Sequence, residues 1–264
     1  MQRLFICTLL LCPFLLHCVP TVPLNKQEFQ SWWCPGQCAN ITLKTLCDRN
    51  YLFIISTGRS GSTTLLKSLK MIQGIGIIGE TNILPELENM FDSAVAIRSN
   101  RGLFADEYAI LARLQRIYNI LLGDDVNSLQ TQAPYFFGSK EVHVPADTLP
   151  FIRRLFPCSR FIVNVRRNVQ KQAQSAFHKL AGATPKELRR ETASLLRAKE
   201  RMPLISYTVA LEDFGARAFD DVIRWLGYRG CHYDVIGHYN YNGSYSSAGV
   251  ASISGECVHR YTIT

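Results

Sequence analysis

Leu52-Phe-Ile-Ile-Ser56-Thr-Gly-Arg59-Ser-Gly-Ser-Thr-Thr64, followed by Leu65-Leu-Lys-Ser-Leu69, reads as an apolar strand that runs into a Gly/Ser/Thr loop and opens a helix. A loop of this kind binds phosphate-like anions, because its backbone N–H groups and the positive end of the helix dipole converge on one spot. The hydroxyls of Ser60, Ser62, Thr63 and Thr64 add donors around Gly61, and Arg59 brings a permanent charge on a planar donor fork.

Outward from this segment, strand patterns at 52–56, 75–78, 137–144, 161–165 and 204–210 alternate with helical patterns at 63–71, 84–97, 103–122, 150–155, 169–180, 185–201 and 213–226. Such alternation predicts an α/β fold with a mainly parallel central sheet flanked by helices. The organisation reads as one domain over 50–264, long enough to bury a full core, behind a leader at 1–20 and a cysteine-bearing stem at 21–49.

A nucleotide triphosphatase loop would read G-x-x-x-x-G-K-[ST], yet Gly61 is followed by Ser62 and the cation lies ahead of it, at Arg59. That arrangement resembles the 5′-phosphosulfate loop of sulfotransferases that use 3′-phosphoadenosine 5′-phosphosulfate (PAPS). Phe161-Ile-Val-Asn-Val165 runs into Arg166-Arg167-Asn168, with Ser175 eight positions after Arg167. The resemblance implies that Arg167 and Ser175 grip the 3′-phosphate, although Val169 stands where the family usually has proline. Arg166, which pairs only with Gln174 at that interval, ranks second.

Gly79-Glu80-Thr81 resembles the G-E segment of tyrosylprotein and carbohydrate sulfotransferases, which implies Glu80 as the base that takes the acceptor's proton. Gly138-Ser-Lys140-Glu141-Val-His143 resembles a G-x-K-E strand of the same enzymes and, more loosely, the K-T-H strand of the cytosolic ones. Lys140 is then a helper that stabilises charge near the transferring group. Strand alternation puts Val142, and not His143, on the face of Lys140, which disfavours His143 as the base. Leu65 and Leu211 replace the tryptophan and tyrosine of cytosolic members, so adenine recognition is expected to differ. Leu211-Glu212-Asp213-Phe214 resembles the family's Y-E-D-L helix start, and the segment 238–245 its closing loop or an ordinary glycine turn.

The first residues, Met1-Gln-Arg3 and an apolar run to Val19, fit a signal peptide better than a membrane span, with a type II anchor the alternative. Outside the leader six cysteines remain, at 34, 38, 47, 158, 231 and 257, an even set that suggests disulfides in an exported chain. Sequons at Asn40 and Asn242 are compatible with lumenal glycosylation. The net charge of +8 is dispersed and accompanied by no nucleic-acid motif, so it suits an anionic donor or acceptor rather than nucleic acid. The resemblance implies a P-loop-like sulfotransferase architecture transferring a sulfuryl group from PAPS to a hydroxyl acceptor, a glycan first, in the Golgi lumen and without a metal. The alternatives are a tyrosylprotein sulfotransferase, a P-loop nucleotide kinase, and an inactive glycan-binding relative.

Overall fold

The computed structural model describes residues 46–47, 49–102, 106–123, 136–175, 178–179, 182–237 and 251–259. Five strands, β1 (Tyr51–Ser56), β2 (Ile75–Ile78), β3 (Phe136–Val142), β4 (Ser159–Val165) and β5 (Ser206–Ala210), form one sheet in the order β2-β3-β1-β4-β5. Every neighbouring pair in it is parallel, so the central sheet is wholly rather than mainly parallel. The chain leaves β1 towards β2 on one side, whereas β4 lies on the other side of β1. The carboxyl ends of β1 and β4 therefore flank a topological switch point, where open α/β sheets leave a crevice for ligands.

Strands β1 and β4 are buried along their whole length, which is why they read as unbroken apolar runs. Tyr51, Phe53 and Ile55 of β1 face a core closed by α2 (Ile83–Asn100), α3 (Glu107–Leu121), α4 (Thr148–Leu155) and α6 (Pro185–Glu200). Leu52 and Ile54 face a second core, closed by α1 (Ser62–Leu69) and α7 (Ala216–Trp225). The first core is aromatic at its centre, with the Tyr51 and Phe156 rings 4.4 Å apart. Each such buried side chain contributes about 1.5–3 kcal/mol.

Several expected boundaries move for visible reasons. Helix α3 starts at Glu107, not 103, because Asp106 caps it by accepting the Ala109 N–H at 3.1 Å. The helix expected at 169–180 breaks after the short α5 (Val169–Ala173), capped by the Asn168 carboxamide; residues 178–179 are again helical, and 176–177 and 180 lie outside the described residues. Helix α7 starts at Ala216 because Leu211–Asp213 forms a 3₁₀ turn first. Strand β3 stops at Val142 because His143 takes a left-handed conformation, φ 62°.

An antiparallel pair, β6 (Tyr228–Val235) and β7 (Ser252–His259), packs on the α1/α7 side and was not expected. Cys231 and Cys257 are joined across it, and Cys47 is also disulfide-bonded. Cys158 is a buried thiol, so the even set of six is not fully paired. The leader, most of the stem, both sequons and the closing-loop segment lie outside the described residues. Among the described residues no helix is long and apolar enough to cross a membrane.

Candidate anion-binding site

Residues 57–61 connect β1 to α1 and are held from beneath by side chains of β4, α5 and the segment after it. The Ser60 hydroxyl donates to Asn164 Oδ1 at 2.7 Å, and Asn164 Nδ2 donates to the Val209 carbonyl at 3.1 Å, tying the loop to β4 and β5. Gln172 Nε2 donates to Thr57 Oγ1 at 3.1 Å and to the Gly58 carbonyl. His178 Nε2 lies 3.0 Å from that same carbonyl, which sets its proton on Nε2. Ser60 therefore anchors the loop, its hydroxyl proton being engaged by Asn164.

The start of α1 has the features an anion seat requires. Gly61, at φ 83°, precedes it with no side-chain cap, and its first turn contains no acidic residue. The first N–H groups of any helix lack intrahelical acceptors, so those of Ser62 and Thr63 are the natural donors. Gly61 is also sterically required: a Cβ there would lie 2.7 Å from Leu211 Cδ1 and 2.8 Å from Phe214 Cε2. Arg59 is half-buried in a left-handed conformation, φ 62°, and among the described residues its guanidinium has no acidic partner.

Arg166, ranked second in the sequence, reaches this loop. Its Nη1 donates to the Arg59 carbonyl at 3.4 Å. Burial lowers its pKa and the neighbouring Arg59 charge lowers it further, against the opposing pull of Glu212. The Arg167 guanidinium is exposed and pairs with Asp213, with Glu212 3.9 Å away. Glu212 also accepts the Arg167 and Asn168 N–H groups, at 3.0 and 2.9 Å. Burial pushes the Glu212 carboxyl up, but these amides outweigh it and hold the group below the usual range. The Ser175 hydroxyl is buried with no hydrogen-bond partner among the described residues.

At the neighbouring strand end, Lys140 is buried while its Nζ donates to Glu80 Oε1, and the Glu80 side chain is 49 % exposed. The two residues that the sequence singled out separately are thus one ion pair. The residue sequence reasoning missed is Glu141, whose side chain is wholly buried on the opposite face of β3. Its carboxylate accepts the Thr81 and Asn82 N–H groups at 3.2 and 3.0 Å, as well as the Thr81 hydroxyl. Lys140 and Glu141 therefore grip consecutive residues of the 80–82 turn from opposite faces. The signal was there: two adjacent charges inside a strand whose residues 136–141 are all buried.

His143 is not turned away as strand alternation predicts, because its left-handed φ of 62° breaks the alternation beyond β3. Its Nδ1 lies 3.0 Å from Glu191 Oε1. Its Nε2 would lie 2.7 Å from a Cβ built on Gly58, so the ring packs directly on the anion loop. The Glu191 hydrogen bond raises the His143 pKa against burial, with the charges of Glu191 and Glu80 adding to the rise.

No protein-family model and no curated protein matches the chain. Among solved structures it is similar to a sulfotransferase domain from the curacin biosynthetic pathway, 18 % identical, TM-score 0.46, over 68 % of this chain and 74 % of that one. It is also similar to an unliganded sugar kinase from Janibacter sp. HTCC2649, 11 % identical, TM-score 0.34, over 67 % of this chain and 94 % of that one. At these identities and scores neither neighbour bears on chemistry.

Proposed function

We propose that the protein transfers a sulfuryl group from PAPS to a hydroxyl acceptor. The observation that supports this most is the Glu80–Lys140 pair beside β3 together with an uncapped helix start preceded by Arg59, which has no acidic partner among the described residues, in place of a P-loop lysine. The donor is a co-substrate, and the residues suit its anionic groups. The N–H groups at the start of α1 and Arg59 would hold the 5′-phosphosulfate, and Arg167 with the buried Ser175 hydroxyl the 3′-phosphate. Arg166 would join the first group.

In the reaction the acceptor oxygen bonds to sulfur as the bond from sulfur to the phosphate oxygen breaks, and adenosine 3′,5′-bisphosphate leaves. Glu80 takes the acceptor's proton. Arg59, the loop amides and Lys140 stabilise the charge that grows on the leaving oxygen. His143 is a second reading for the base, favoured by one observation: its Nδ1 is held by a carboxylate while its other nitrogen faces the loop. A glycan acceptor and a secretory location extend the reading; the Cys231–Cys257 bridge supports an oxidising compartment.

Thermal unfolding with nucleotides tests the assignment. Adenosine 3′,5′-bisphosphate raises the melting temperature, whereas ATP with magnesium does not. The reverse preference would make the protein a nucleotide kinase. Labelled-sulfate transfer over glycans and tyrosine peptides then identifies the acceptor.

A further inference from the structure

The edge of the sheet opposite the anion loop holds a cavity of about 460 Å³ that the proposed transfer does not use. Helix α4 ends at Leu155, just before β4 begins at Ser159, and Arg201 and Met202 precede β5. The Met202 carbonyl accepts the Ile205 N–H at 3.3 Å, and the Ile205 carbonyl accepts the Phe161 N–H at 2.8 Å, so these residues sit at the amino ends of β4 and β5. The cavity lies there, among Leu149, Arg153 and Arg154 of α4, Tyr108 of α3, and Arg201 and Met202.

Its charges do not balance. Arg154 pairs with Glu107 at 2.5 Å and packs over the Phe91 ring at 5.0 Å, so it is accounted for. Among the described residues Glu107 is the only acid on the cavity lining, and Arg153 and Arg201 have no acidic partner. Arg153 Nε is moreover buried with no hydrogen-bond acceptor among the described residues. A cation near the end of a helix is favoured by the dipole, and that explains why arginines stand at the ends of α4 and α6. It does not explain an N–H group removed from water and left without an acceptor, which structures rarely tolerate. The floor of the same cavity is apolar, with Leu111, Leu149 and Met202 buried.

We propose that this cavity is a second binding site, for an amphiphilic anion: a carboxylate or sulfate group on an apolar aryl or alkyl body. The head group supplies an acceptor to Arg153 Nε and a counter-charge to the exposed Arg201. The body packs against the exposed Tyr108 ring and the apolar lining, which a small hydrated anion would leave in water. The volume falls in the range of about 300–1,000 Å³ usual for small-molecule sites. The site stands independently of the sulfuryl-transfer reading, being built from different residues at the other edge of the sheet.

The test is calorimetric titration of the full chain with 2-naphthoate, with adenosine 3′,5′-bisphosphate saturating and with it absent. One site is expected, with affinity reduced at least tenfold in both Arg153→Gln and Arg201→Gln and unchanged in Arg59→Ala. Arg153→Lys, which keeps the charge, retains more affinity than Arg153→Gln, which separates binding from loss of fold. Inorganic sulfate and uncharged 2-naphthol each bind at least tenfold more weakly than 2-naphthoate. The Met202 methyl resonance shifts on titration of the wild type. No binding, undiminished binding in Arg153→Gln and Arg201→Gln, or binding lost in Arg59→Ala would overturn the proposal.

Discussion

Glu80 and His143 compete for one role, and the groups that hold each of them differ in kind. Glu80 is held by a buried lysine and by a turn clamped on Glu141, whereas His143 is held by Glu191 on a different helix. If Glu80 is the base, Glu80→Gln lowers turnover about 10²-fold or more with donor affinity preserved, and His143→Ala costs much less. Steady-state kinetics at saturating donor decides the ranking, and the opposite order transfers the role to the histidine. The Glu191 contact also has a pH signature. Its effect is to raise the His143 pKa in the folded protein above the ordinary 6.5, so the stability it adds is present below that pH and is lost as pH rises through the folded value. Glu191→Gln is therefore more destabilising at about pH 5.5 than at about pH 9 in denaturant titrations. The imidazole is 42 % exposed, so solvent screening keeps the difference small. For Glu141, replacing a buried carboxylate with three donors by glutamine leaves one or more of them short of an acceptor, at a cost of about 1–3 kcal/mol. Glu141→Gln also lowers turnover at least tenfold while bisphosphate affinity holds, because the turn it clamps carries Glu80; unchanged turnover would remove Glu141 from the site.

Helix α1 presents its start without a side-chain cap and without an acid in its first turn, as α4 and α7 also do, but it alone of the three follows a loop that carries Arg59 and is reached by Arg166. Thr63→Asp places a carboxylate in the first turn of α1. The substitution stabilises the free protein by about 0.3–1 kcal/mol through the dipole, yet it weakens bisphosphate binding at least tenfold by filling and repelling the seat. Melting curves with and without ligand read both effects, and undiminished ligand stabilisation would move the seat elsewhere. The same element shows how much the sequence disclosed. The run 52–56, the Gly-Arg-Ser-Gly loop and the helix after it were legible because an unbroken apolar strand meeting a glycine-rich turn has few other meanings. The Lys140–Glu80 contact was half legible, as both residues stood out but nothing local says that β3 and the 80–82 turn meet. Strand β3 ends one residue before His143, and a left-handed residue is invisible to alternation, so the orientation of that ring was misjudged. The pair β6/β7 escaped because Gly230 and Gly255 interrupt its pattern. Those glycines are where the two backbones come closest: a Cβ on Gly255 would lie 2.2 Å from the Gly230 carbonyl oxygen.

At the scale of the molecule, two cores on the two faces of one sheet hold the carboxyl ends of β1, β3 and β4 in register, so the three charged segments of the site arrive together from distant parts of the chain. The face that carries α1 is shared with α7 and the β6/β7 pair: the Tyr233 hydroxyl donates to the Ser68 carbonyl at 2.8 Å, and the Tyr233 N–H donates to Asp220 at 2.7 Å. Whatever fixes β6 and β7 therefore steadies the helix that starts at the anion loop. Cys231 and Cys257 are 26 residues apart, and closing a loop of that length restricts the unfolded chain enough to stabilise the fold by about 3.5 kcal/mol. Reductant removes this bridge and that of Cys47 together, whereas the double variant Cys231→Ser/Cys257→Ser removes this one alone. In guanidinium titrations the double variant loses a large part of that free energy, and reductant lowers the wild type by at least as much. Cys158→Ser serves as the control: its response to reductant matches that of the wild type, since its thiol is in no bridge. Because Tyr233 rests on α1, the double variant also binds adenosine 3′,5′-bisphosphate more weakly. Equal stability of the double variant and the wild type under oxidising conditions would show that packing on α1 and α7 holds the pair without the bridge.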